Sequence, residues 1–286
     1  MNMNKFLIVT PPYNQQSNGV VILHELCESL KKLGFQCDKV LYGFNDQRDL
    51  VINRTLAEIQ EYVNDGYVIY PEVIAGNPLG AKRVVRYLLN FEGAVNGNAL
   101  LAGPNDFILA FSKRFHPAPH GVLFRVLPKP GFDTINCSLP RHRPLDVTYI
   151  GKGAQYDQCS IVPGTLEITR QFPTAKQQLS LILKKTRFFF SWDIVSDTSI
   201  DALLCGAIPV FLTDRPIAAS DLDQWELGRI PRAQWQASSS QMGQVFVPED
   251  FLEVRERFLN MRNQLLESYE QRQMDVIALI KQHFGA

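Results

Sequence analysis

The chain has 286 residues, room for two ordinary cores or one large one, and 45% hydrophobic with 20% charged residues is the balance of a folded globular protein, not a disordered or fibrous one. Lys+Arg and Asp+Glu both number 29, so net charge is zero. A nucleic-acid binder normally carries a basic excess, and nucleic acid is therefore not an expected partner.

No apolar run reaches the roughly 18 residues that span a bilayer. The short run in MNMNKFLIVTPPYN is stopped by Pro11 and Pro12, too soon for the apolar core of a signal peptide. Five scattered cysteines, Cys27, Cys37, Cys137, Cys159 and Cys205, lack the close pairs of a zinc or redox motif. They read as reduced apolar fillers in a cytoplasmic protein.

In chain order, KFLIVT is a first strand, followed by a helix over SNGVVILHELCESLKKLGF with Val20, Leu23, Cys27, Leu30 and Leu33 near helical spacing. Ser17 or Asn18 caps it and Gly34 ends it. Cys37 to Tyr42 and YVIYPEVI are strands. NPLGAKRVVRYLLN, with Pro78 early and Val84, Val85, Leu88 and Leu89 to one side, reads as an amphipathic helix. DFILAFS and VLFRVL are further strands. Pro128 to Pro144 holds four prolines without periodicity and reads as a linker. Beyond it come strands DVTYIG and GTLEIT, helix TAKQQLSLILKKT, strand RFFFSW, helix DTSIDALLCG with Asp197 or Thr198 at its start, strand AIPVFL, and a long helical stretch from Pro248.

Repeated strand–helix–strand units imply mostly parallel sheets. The expected fold class is α/β, two Rossmann-like doubly wound domains facing a cleft, at 1–130 and 145–286. Open parallel sheets bind ligands beyond the carboxyl ends of their strands. Tyr13 to Gly19, Gly151 to Gly153, and Asp193 to Asp201 occupy such places. Asp193 leaves the strand RFFFSW, and the helix that follows offers the amides of about residues 197–199 to an anion such as a diphosphate. Asp201, one turn on, is suited to accept hydrogen bonds from sugar hydroxyls, as is Asp193.

The stretch Asp193, seven residues, Asp201-Ala-Leu-Leu-Cys-Gly206-Ala-Ile-Pro209-Val210 resembles the carboxyl-terminal signature of GT-B glycosyltransferases, in which both acids are usually glutamate. PPYNQQSNGV resembles the family's amino-terminal glycine loop, YIGKG its phosphate loop, and ITRQFP is similar to bacterial polysaccharide-synthesis members. The resemblance implies transfer of a sugar from a nucleotide-diphosphate donor to a glycan or lipid-linked acceptor, with no metal or other cofactor required. Lys152 and Arg170 would neutralise the diphosphate, and Gly19 would let the first domain's backbone approach the reacting centre. His24 and Asp193 are the catalytic candidates; Gly19, Lys152, Arg170, Asp197, Thr198 and Asp201 are the substrate-binding ones.

Each has a plainer competitor. Asp201 can be a solvated helix residue, Asp193 and Thr198 helix caps, and Lys152 a surface lysine. His24 lies four residues before Glu28, a spacing that can orient a general base but is more often just a helix histidine. His116 and His120 in HPAPH have the spacing of a metal pair, yet the intervening prolines forbid the helix that would align them. Asp221 and Asp223 in DLD fit a helix start as well as a metal pair. The acid pair leans towards retention of configuration; an inverting route would draw its base from His24, Glu72 or Asp106. The short basic stretches KKTR at Lys184 and RHR at Arg141 are candidates for peripheral contact with the inner face of a membrane, or simply solvated faces. A nucleotide-sugar epimerase of the same architecture, and a binding subunit without turnover, remain as alternatives.

Overall fold

The computed structural model describes residues 4–45, 50–127, 131–132, 142–155, 159–169, 171–193, 196–212, 226, 236–237 and 249–285. The chain divides into two compact units, residues 1–127 with 265–286, and residues 128–264.

The first unit is built on a seven-stranded sheet. Its strands are β1 (Lys5–Thr10), β2 (Gln36–Phe44), β3 (Leu50–Ile52), β4 (Tyr67–Pro71), β5 (Val84–Leu88), β6 (Phe107–Ala110) and β7 (Gly121–Val122). They lie in the order β3-β2-β1-β4-β5-β6-β7, all parallel except β3, which runs antiparallel to β2. Two helices follow early strands, α1 (Asn18–Lys32) and α2 (Leu56–Asp65). α1 buries Val21, Ile22, Leu23, Leu26, Cys27 and Leu30. α2 is announced by a capping box in which Thr55 and Glu58 satisfy each other's backbone amides.

The stretch expected as a helix around Val84 is instead the buried strand β5, between β4 and β6. Val-Val-Arg-Tyr-Leu is rich in β-branched and aromatic side chains, and a strand covered on both faces carries no alternation that would mark it. Arg86 hides within it, fully buried, its Nε donating to Asp106 at 2.7 Å and its NH1 to the Ile74 carbonyl at 3.1 Å. Its NH2 donates to the Gly76 carbonyl. The connections from β4 to β5 and from β5 to β6 contain no helix, so Arg86 is the peg on which the first of them hangs.

The second unit's sheet has five strands, all parallel, in the order β12-β11-β10-β8-β9. They are β8 (Leu145–Tyr149), β9 (Leu166–Ile168), β10 (Thr186–Ser191), β11 (Ile208–Leu212) and β12 (Gln236–Ala237). Its helices are α3 (Lys176–Lys185), α4 (Asp197–Leu204) and α5 (Phe251–Glu267). Phe132 and Arg143, within the stretch read as a linker, are buried, Phe132 in the core with Val147, Leu183 and Phe189. Arg143 NH1 donates to the carbonyls of Thr186 at 3.0 Å and Cys205 at 3.1 Å, closing the ends of α3 and α4 together. Of the basic stretches, Arg187 is paired with Asp146, and Arg141 lies outside the described residues.

The helical stretch after Pro248 is two helices, α5 and α6 (Tyr269–His283). The sequence reading kept 145–286 together, but α6 completes the first unit. Tyr269, Val276, Ile277 and Ile280 join Leu23, Leu26 and Tyr87 in one core. Arg272 donates to the Phe124 and Leu265 carbonyls, both at 2.7 Å. No helix among the described residues is long and apolar enough to cross a membrane.

Arg86→Ala should destabilise the chain by about 3–5 kcal/mol in urea unfolding, because it leaves the Asp106 charge without its cation. Near α6, His120 Nδ1 accepts the Ile108 amide at 2.8 Å, and its ring packs on Phe107 and beside His283. Burial, then His283 and His116, hold its pKa below the ordinary imidazole value. The unfolded chain therefore takes the proton first, and stability should fall as pH drops below about 6.5. Urea midpoints on either side of that pH should differ less in His120→Gln.

Candidate functional site

In each unit the strand order reverses at one seam, between β1 and β4 in the first and between β8 and β10 in the second. In open parallel sheets such a seam is where ligands generally bind, beyond the carboxyl ends of the strands.

At the second unit's seam, residues Gly151–Gln155 follow β8 as a 3-10 turn, and Trp192 and Asp193 follow β10. The two stretches are pressed together. A Cβ placed on Gly151 would lie 2.5 Å from the Tyr149 ring and 2.8 Å from Asp193 Oδ2, and Gly151 has φ +55. One placed on Gly153 would lie 2.5 Å from Trp192 Cβ and from its carbonyl oxygen. Both glycines are thus demanded sterically, and they bring the YIGKG loop against the first acid of the Asp193/Asp201 pair. Trp192 is fixed on either side, its amide donating to the Tyr149 carbonyl at 3.0 Å and its Nε1 to the Ser160 carbonyl at 2.9 Å.

Asp193 and Asp201 are both buried. A serine chain holds the turn between them. Ser191 Oγ donates to the Asp193 carbonyl at 2.9 Å, the Asp193 amide donates back to Ser191 Oγ at 3.2 Å, and Ser199 Oγ reaches Ser191 Oγ at 3.4 Å. α4 is thereby tied to β10.

The helix cap differs from expectation. Ser196, not Asp197 or Thr198, occupies it, its Oγ accepting the Thr198 amide at 3.0 Å. The Ser199 amide donates to the Ser196 carbonyl at 3.1 Å. Of the amides expected to receive an anion, those of 198 and 199 are already engaged, and Asp197, exposed in the first turn, adds negative charge there. Serine is a strong capping residue, so the sequence held this signal. The rear of α4 is equally restrained: Gly206 (φ +80) and Ala207 donate to the Leu203 and Ala202 carbonyls, both at 2.9 Å. Arg255 Nε and NH2 add bonds to Leu204 O at 3.2 and 2.8 Å. The Lys152 backbone lies in the glycine turn, and Arg170 falls outside the described residues, as do Asp221 and Asp223.

At the first unit's seam stand α1 after β1 and Glu72 after β4. His24 Nε2 lies 2.9 Å from the Pro11 carbonyl, which only accepts, so Nε2 carries the hydrogen and the neutral ring keeps its acceptor at Nδ1. Tyr13 packs edge-on against that ring, with centroids 5.4 Å apart. The expected His24–Glu28 pairing is not formed; Glu28 holds Lys31 and Lys39 instead. Gly19 lies in the first turn of α1. A Cβ there would meet Leu89 at 3.6 Å, an ordinary contact, so no steric demand for glycine exists at that point.

Glu72 is buried and accepts the Leu89 amide at 2.9 Å, bridging the ends of β4 and β5. Burial raises its pKa against the pull of the backbone hydrogen bonds. Asp106 precedes β6, at the amino end of the sheet, and is held by Arg86. It is removed from the seam and from the list of bases. Among the described residues, no group of three His, Cys, Asp or Glu side chains has an arrangement able to hold a metal ion.

No protein-family model matches the chain, and no curated protein does. Solved structures similar to it include an alpha-glucosyltransferase in complex with UDP and a 13-mer DNA containing a HMU base, at 13% identity and TM-score 0.44, covering 99% of this chain and 96% of that one. An alpha-glucosyltransferase in complex with UDP-glucose and DNA containing an abasic site is similar at 13% identity and TM-score 0.45, covering 98% and 95%. A glycotransferase of kitacinnamycin is similar at 10% identity and TM-score 0.43, covering 98% and 99%.

Gly153→Ala should disturb the seam by roughly 1–3 kcal/mol of overpacking, whereas Gly19→Ala should leave the urea midpoint within error or raise it slightly. Ser196→Ala should cost about 1 kcal/mol as a lost cap.

Proposed function

We propose that the chain is a glycosyltransferase of the GT-B kind, moving a sugar from a nucleotide-diphosphate donor to a glycan or lipid-linked acceptor without a metal. The observation that carries this reading is the forced contact of Gly151 and Gly153 with Asp193 and Trp192 at a sheet seam. It joins the turn that carries Lys152 to a buried carboxylate, which can accept only from hydroxyls and other donors.

In this reading the Gly151–Gly153 turn and Lys152 receive the diphosphate, because the α4 amides of residues 198 and 199 are engaged within the chain. Arg170 is the second cation proposed for it. Asp193 and Asp201 hold donor hydroxyls, and their rigid mounting on the serine chain and the doubly capped α4 fixes the donor's orientation without reorganisation. Gly19 is proposed on the acceptor side, in the first unit, and Asp197 and Thr198 on the donor side, in the second.

His24 is the better placed of the bases in the first unit. Its Pro11 bond fixes the tautomer whose Nδ1 accepts a proton, so an acceptor hydroxyl could pass its hydrogen there in an inverting transfer. In a retaining transfer the leaving phosphate takes that proton and His24 orients the acceptor. The reading includes a cytoplasmic location, with peripheral contact at the inner face of a membrane for a lipid-linked acceptor.

Thermal shift against a panel of nucleotides and nucleotide sugars tests the donor. One nucleotide sugar should raise the melting temperature, and no response at millimolar ligand sinks the reading. With the responsive donor, Asp201→Asn should weaken binding roughly 10- to 100-fold, the worth of a lost charged hydrogen bond. His24→Gln should leave binding intact and slow transfer. Slow donor hydrolysis by the unmodified chain separates an enzyme from a binding subunit.

A further inference from the structure

Cys27 and Cys37 are far apart along the sequence, and the fold sets them level with each other. Cys27 lies in α1 and Cys37 near the start of β2, and between them the chain reverses at Gly34, whose φ of +85 is backbone that glycine adopts freely. The Gly34 and Phe35 amides close the turn on the Lys31 and Leu30 carbonyls, both at 3.0 Å. From Leu33 back to Cys27 is about 9 Å of helix, and from Gly34 on to Cys37 is about 10 Å of extended chain. The two positions therefore stand at one height above the turn.

They also share a face. Cys37 is in register with Phe6, and both belong to the core on the α1 side of the sheet, with Leu26, Cys27 and Leu30. Leu7 and Val40, pointing the other way, pack in the separate core beneath α2. The Cys37 thiol donates to the Cys27 sulfur. Both residues are buried, and the remaining cysteines, Cys137, Cys159 and Cys205, fall in the second unit. A disulfide requires Cβ atoms about 3.5–4.5 Å apart, and thiols already in hydrogen-bond contact approach that geometry by side-chain rotation.

The two sulfurs are unequal. The hydrogen bond from Cys37, with Lys31 and Lys39 and against burial, holds the Cys27 thiol below its ordinary pKa. The same bond, together with burial, pushes the Cys37 thiol up. Cys27 is thus the readier to become thiolate, the form that attacks.

We propose that Cys27 and Cys37 are a reversible dithiol–disulfide pair, closed by a hydroperoxide and reopened by a thiol reductant, that staples α1 to β2. In the first step the Cys27 sulfur attacks a peroxide oxygen; the O–O bond breaks, and the leaving oxygen takes the Cys27 proton and departs as water or an alcohol. In the second the Cys37 sulfur attacks the sulfenic sulfur of Cys27, the S–S bond forms, and hydroxide leaves with the Cys37 proton as water. The two thiols together give two electrons to the peroxide. A reducing dithiol returns both thiols by exchange. The staple anchors α1 one turn beyond His24, and it is independent of what the seam binds.

The full native chain is treated with hydrogen peroxide up to a hundredfold excess, free thiols are blocked with N-ethylmaleimide in guanidinium, and the tryptic digest is read by mass spectrometry without reduction. Trypsin cuts at Lys31 and Lys32, between the two cysteines, so the disulfide appears as two joined peptides. That joined pair should form, should vanish after dithiothreitol, and should be missing from Cys37→Ser and from Cys27→Ser; either variant serves if the other does not fold. The oxidised chain should melt roughly 5 °C above the reduced one, a difference absent in the variant. Recovery of both residues as maleimide adducts overturns the proposal. So does Cys27 carried on to sulfinic acid beside a free Cys37, a bond from either residue to a cysteine of the second unit in place of the pair, or a pair that forms only in guanidinium.

Discussion

Right-handed crossovers lay parallel strands down in one direction until the chain turns back, and where it turns back two neighbouring strands send their loops apart. That constraint governs this molecule. Each unit turns back once, and among the described residues His24, Glu72, the Gly151–Gly153 turn and Asp193 all follow the four strands involved. In the second unit the seam is closed so tightly that two positions tolerate only hydrogen as a side chain. At the first stand an imidazole after β1 and a buried carboxylate after β4. One seam is therefore shaped by backbone proximity and the other by side-chain chemistry.

The short helix α4 carries much of the geometry, and its eight residues could not stand alone in water. It is held from both ends. Ser196, Ser199 and Ser191 tether its front to β10, while Arg143 and Arg255 gather the carbonyls at its rear. Arginine suits that place because one planar group serves several carbonyls at once and its charge complements the negative end of the helix. Asp201, between these fixed ends, has little freedom to move, and a carboxylate with little freedom loses little entropy on meeting a ligand.

The sequence displayed the alternation of strands and helices plainly, together with the acid pair and the glycine turn, because each depends on neighbours within a few residues. What it hid depends on distant partners. Arg86 sits in a strand only because Asp106 and two carbonyls receive it, and a charged residue in an apolar run otherwise argues for an amphipathic helix. Nothing local distinguishes α6 from α5 as belonging to a different unit. The contact between Gly151 and Asp193 joins positions that only the strand order makes adjacent. Asp106 looked as available as His24 for the same reason: which end of the sheet a residue occupies is a property of the topology. Two misses were avoidable, since the Thr55–Glu58 capping box and the Ser196 cap are both written in adjacent residues.

The last helix belongs to the first unit's interior, with Tyr269, Val276, Ile277 and Ile280 packed among residues from the beginning of the chain. A ribosome making this protein releases those residues only after residues 128–264. Until then the opening 127 residues lack a wall of their core, and the intervening 128–264 must be threaded out before the gap can close. Apolar surface on α1 and the sheet stays open to solvent throughout that interval, a state in which nascent chains become clients of chaperones. For the same reason no single cut in the gene yields both units intact.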